Sequence, residues 1–79
     1  MRYELVPTGN RKSFYKKAYV IMLEDGTRRL QSYKTNIMEI KPDGEMVRLW
    51  NGWTATTGNH IASFSGLNKK EFMTLPLAS

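Results

Sequence analysis

Two Asp-Gly steps, Asp25-Gly26 and Asp43-Gly44, do more than any other feature to limit what this chain can become. Both residue types tolerate the positive φ of a two-residue hairpin, so Asp25-Gly26 predicts a type I′ turn. Pro42-Asp43-Gly44 predicts a second reversal. The segments around these turns are short and β-rich: Ala18–Glu24, Thr27–Tyr33, Thr35–Ile40 and Glu45–Trp50, with Arg2–Val6 ahead of them, closed by Pro7-Thr8-Gly9-Asn10. Strands joined by tight turns pair antiparallel with their chain neighbours, which gives a meander and excludes a βαβ unit. Ala18–Glu24 is apolar on both faces and is expected to be a central strand of the sheet. A polar break at Lys34 marks either a bulge inside one strand or the boundary between two.

After Asn51-Gly52 the pattern becomes helical. Thr57 is the expected N-cap, His60, Ile61 and Phe64 follow at helical spacing, and Gly66 suits the position just past the end, so a helix spans about 57–65. Gly58 weakens its first turn by up to about 1 kcal/mol relative to alanine, so this helix needs tertiary support. Asn68 and Glu71 form a capping-box pattern opening a second short helix, about 69–74, which contains Phe72 and stops before Pro76. The chain therefore reads as a single α+β domain over residues 1–79: a small antiparallel sheet of four to five strands, then one or two short C-terminal helices. With 79 residues and no cysteine, its stability rests on one apolar core. The candidates are Tyr3, Val6, Tyr19, Ile21, Leu23, Ile37, Ile40, Leu49, Trp50 and Phe64. No apolar run approaches the roughly 18 residues of a membrane span and no signal peptide opens the chain, so a cytoplasmic location is expected.

Charge is unevenly placed. The formal net charge is +5, and residues 1–34 hold all of the surplus, with eight basic against three acidic residues. A one-sided positive field draws phosphate backbones or acidic protein surfaces. Arg11, Lys12, Lys16 and Lys17 bracket Phe14 and Tyr15, an alternation of cations and rings that suits single-stranded nucleic acid. Arg28 and Arg29 follow the Asp25-Gly26 turn, Arg48 lies on a strand that can point to the same face, and one of the two tryptophans, Trp53, is a candidate exposed anchor.

Chemistry beyond binding has little to stand on. One histidine and no cysteine leave carboxylates in separate turns to complete any metal shell, so neither metal nor cofactor is expected. His60 lies one helical turn after Thr56 and Thr57, but a hydroxyl nucleophile also needs an oxyanion site and an orienting third group. Thr56, Thr57 and His60 form instead a candidate anion site at a helix N-terminus.

Lys12-Ser13-Phe14-Tyr15 with Lys17-Ala18, Ser32-Tyr33-x-Thr35, Arg48-Leu49-Trp50-x-Gly52-Trp53 and Thr54-Ala55-Thr56-Thr57-x-x-His60-Ile61 together resemble an uncharacterised domain family of small phage, plasmid and gut-bacterial proteins. The resemblance implies an α+β domain of mobile-element origin and supplies no catalytic residues. Gly58-Asn59 departs from the longer, often basic residues of that pattern. The expectation is a non-enzymatic binding module acting on a host nucleoprotein or nucleic acid, with an anti-defence inhibitor of the anti-CRISPR type as its sharpest form. A protein–protein or self-assembly module, including a homodimer, is the alternative reading; a small enzyme using His60 is the third.

Overall fold

The computed structural model describes residues 1–5 and 17–78. Five strands form one antiparallel sheet in chain order: β1 (Arg2–Glu4), β2 (Ala18–Met22), β3 (Arg28–Ser32), β4 (Thr35–Ile40) and β5 (Met46–Arg48). Two helices follow, α1 (Ala55–Ser65) and α2 (Lys69–Met73), giving the expected α+β meander with a helical C-terminal part. β2 is an interior strand of the sheet, paired with β1 on one side and β3 on the other, as expected.

The Asp25-Gly26 reversal is built differently from the I′ expectation. Leu23 N–H donates to Thr27 O at 2.8 Å and Gly26 N–H to Leu23 O at 3.1 Å, so the loop has three residues, with Gly26 alone at positive φ (94°). This is the loop of a type I turn followed by a left-handed glycine. Asp25 contributes its carboxylate, which accepts the Thr27 N–H at 2.8 Å. That bond holds the Asp25 carboxyl below its ordinary value. The second loop repeats the design: Lys41 pairs with Glu45, Gly44 sits at φ 92°, and Asp43 accepts the Glu45 N–H at 2.9 Å. The polar break at Lys34 is a third hairpin, a two-residue turn of Tyr33 and Lys34 between paired Ser32 and Thr35.

Helices cover one face of the sheet. Leu5, Ala18, Val20, Leu30, Ile37, Met38 and Ile40 meet Ile61 of α1 and Phe72 of α2 in the core. A register shift beside Leu30 and Gln31 allows consecutive residues Ile37 and Met38 both to be buried. Of the expected core, Ile37 and Ile40 are buried and Trp50 and Phe64 pack against it, Tyr3 is exposed, Tyr19, Ile21, Leu23 and Leu49 are half-buried, and Val6 lies outside the described residues. In β2 it is Ala18 and Val20 that point inward. A strand apolar on both faces carries no alternation from which to choose.

α1 starts earlier than expected, and this corrects the assignment of its cap. Thr54 is the N-cap, with its hydroxyl accepting the Thr57 N–H at 3.1 Å, and Thr57 is buried in the first turn. Gly66 ends the helix in the left-handed conformation (φ 79°), and Asn68 and Glu71 form both bonds of the capping box on α2. After α2 the chain returns to the free side of β5: Arg48 N–H donates to Pro76 O at 2.8 Å and Ala78 N–H to Arg48 O at 2.7 Å. These bonds close that edge of the sheet.

Gly58 has a steric role. A Cβ on it would lie 2.5 Å from the Trp53 ring, which is packed 5.8 Å from Phe72. Gly58→Ala gains up to about 1 kcal/mol of helix propensity, but overpacking costs typically about 1–3 kcal/mol. We expect it to unfold at lower urea concentration than the parent, and Trp53→Leu to recover part of that loss in the double variant. A stabilised Gly58→Ala would show that the ring is free to move aside.

Candidate functional site

Four carboxylates gather in the two Asp-Gly loops, while Glu4 pairs with Tyr19 toward the opposite end of the sheet. Glu24, Asp25, Asp43 and Glu45, with Lys41, are in the Asp-Gly loops at one end. These loops are neighbours, since a Cβ on Gly26 would meet Pro42 at 3.4 Å. At the other end, the Tyr33-Lys34 turn lies beside Lys17, whose carbonyl accepts the Tyr33 N–H at 2.6 Å. An open depression of about 580 Å³ lies here, lined by Arg2, Tyr19, Tyr33, Lys34 and Thr35. Its volume is in the range of about 300–1,000 Å³ that holds a small organic ligand. Arg2 stacks over Tyr19 with its guanidinium carbon 3.9 Å from the ring centroid. None of the described lining residues carries a carboxylate.

Tyr33 is the conspicuous member. It is 51% exposed and has φ 56°, the one positive φ among the described non-glycine residues. A bulky residue in that region is an outlier, and primed hairpin turns place glycine or asparagine there. Behind it lies a buried polar network. Ser32 Oγ is 2.8 Å from His60 Nδ1 and 3.3 Å from Thr57 Oγ1, and the Tyr33 ring centroid is 6.2 Å from that of His60. The strand residue next to Tyr33 is thus tied to α1 by directional bonds.

Residues 2–75 match the model of a family of unknown function, DUF8033. The chain belongs to that family. No curated protein and no solved structure matches it. The matched span runs from β1 through α2, so the depression and the polar network behind it lie wholly within the DUF8033 domain.

The residues singled out from the sequence of this DUF8033 domain do not share one face. Arg11, Lys12, Tyr15 and Lys16 lie outside the described residues, as does Phe14. Lys17 is exposed at the end where the depression lies. Arg28 points to the helical side, 5.9 Å from the Phe64 ring centroid. Arg29 lies on the opposite face, in an ion pair with Glu39 at 2.7 Å. Arg48 is structural: its Nε donates to Leu75 O at 2.8 Å, its guanidinium reaches Asn51 Oδ1 at 3.1 Å, and it faces the Phe72 ring. Trp53 is committed to Phe72 and Gly58. The anion cluster does not assemble either, because Thr57 and His60 are buried while Thr56 is exposed. The Ser32–His60 pair has the spacing of a nucleophile and base, but both residues are at most 2% exposed, which shuts a substrate out. No group of three His, Asp or Glu able to hold a metal ion occurs among the described residues.

Missed by sequence reasoning were Arg2, Tyr19, Tyr33, Lys34 and Thr35. The available signal was the Tyr33-Lys34 step itself: an aromatic and a cation at a break where turn formers are usual.

Two variants separate structural from surface roles. His60→Ala removes a buried ring and leaves the Ser32 and Thr57 hydroxyls without it, at a cost of about 2–4 kcal/mol in urea unfolding. A cost under about 1 kcal/mol would mean the network is dispensable. Arg48→Ala frees the segment after α2, so the Ala78 amide should lose hydrogen-exchange protection while amides of β2 and β3 keep theirs. Unchanged protection at Ala78 would place the anchor elsewhere.

Proposed function

We propose that this domain is a non-enzymatic binding module that contacts nucleic acid, free or within a host nucleoprotein, through the basic–aromatic end of its sheet. The observation that carries this reading is the depression lined by Arg2, Tyr19, Tyr33, Lys34 and Thr35, with Lys17 beside it and no carboxylate among those lining residues. Cations supply phosphate contacts and release counterions, rings supply stacking, and the two together are the usual equipment of nucleic-acid surfaces. The acidic loops at the far end of the sheet favour approach by the basic end. Support also comes from the net charge of +5. Inhibition of a host defence nucleoprotein is the most specific form of the proposal; its support is the small, basic, cysteine-free chain and its resemblance to short phage and plasmid reading frames.

The test is salt dependence. Binding of a labelled oligonucleotide, followed by fluorescence anisotropy between about 50 and 200 mM salt, should weaken steeply. Lys17→Ala combined with Lys34→Ala should flatten the log–log slope by about 1.4–1.8, or about 0.7–0.9 for each phosphate left unneutralised. A complex indifferent to salt, or a slope unmoved by the double variant, would count against the proposal. A pull-down from host lysate with and without nuclease would then distinguish a direct protein partner from one bridged by nucleic acid.

A further inference from the structure

We infer that the depression is a slot for an unpaired nucleobase, so that the ligand is single-stranded and the duplex is discriminated against. This rests on the function proposed for the same site and names the ligand class it leaves open. Three observations converge. The first is size: the open depression of about 580 Å³ is large enough for a base with its sugar, and a duplex keeps its bases stacked inside, out of its reach. The second is the lining. Tyr33 offers a π-face, and Arg2, supported on the Tyr19 ring, presents a flat guanidinium, a plane on which bases also stack. Lys34 and the neighbouring Lys17 stand where flanking phosphates would run, and the Thr35 hydroxyl adds a hydrogen-bonding group.

The third observation is the backbone of Tyr33. Asparagine or glycine would make this turn with less strain, and a half-exposed ring gains little from burial. One part of the ring faces His60, and its exposed half is open to a contact outside the molecule. Ser32, fixed by His60 and Thr57 at the end of β3, holds the turn so that the ring stays in place. Because every base has a π-face, the slot tolerates sequence and selects for strandedness. An acidic peptide shares the charge complementarity but gains nothing comparable from the Tyr33 ring and the Arg2 plane.

The experiment compares three labelled probes on the whole chain: a mixed-sequence single strand, the same sequence as a duplex, and a poly-glutamate peptide. The single strand should bind at least about tenfold more tightly than the duplex, since stacking adds roughly 5- to 150-fold per base. Tyr33→Asn, which suits the positive φ, and Tyr19→Leu should each lower single-strand affinity within that range and leave duplex affinity unchanged, with circular dichroism reporting an intact fold. Lys34→Ala should weaken both. Equal affinity for strand and duplex, unaffected by the tyrosine variants, would overturn the slot while leaving the charge-based reading standing. Binding of poly-glutamate alone, or of no probe, would overturn both.

Discussion

The hydrogen bond between Ser32 and His60, 2.8 Å long and buried, fixes how the sheet and the first helix meet. Apolar contacts between β3 and α1 are non-directional and would allow the helix to slide. A buried hydroxyl and imidazole cannot slide, because each misplaced partner loses its bond while still buried. With Thr57 as the third member, the network sets where α1 begins, and hence why Thr54 is the residue that caps it. That placement brings Gly58 beneath the Trp53 ring and Ile61 into the core. The same bond fixes the end of β3 immediately before Tyr33. One polar contact thus links the packing of the helix to the most strained feature of the surface.

What was legible in the sequence was local. The Asp-Gly steps marked their reversals correctly because the turn needs an aspartate acceptor and a left-handed glycine, although the Asp25-Gly26 loop has three residues and a different geometry from a type I′ turn. Gly66 and the Asn68–Glu71 box were readable for the same reason: a cap is made by residues a few positions apart. Information held in pairing was not readable. Tyr19 and Ile21 look as apolar as Ala18 and Val20, and only the register with β3 decides which pair faces the helices. Thr54 and Thr57 are equally good caps by local preference, and the choice falls to a serine far away in the chain. The cations show the same limit. Their number and their bias toward the first half could be counted, but Arg28, Arg29 and Arg48 are separated by strand alternation, ion pairing with Glu39 and the demands of the last segment. Arg2 and Lys34, distant in sequence, come together only because β1 and β3 flank β2, whose Tyr19 lines the depression with them.

The opposition of acidic loops and basic turn at the two ends of the strands gives the molecule an axis. Net charge alone pulls a protein toward a polyanion in any attitude; a separation of charge along the strands also applies a torque. On the proposed reading, the domain would rotate near a polyanion so that its two Asp-Gly loops trail and the Tyr33 turn leads. Random collisions would thereby be converted into end-on ones, and the search for one correct orientation would be shortened before any side chain touched its target.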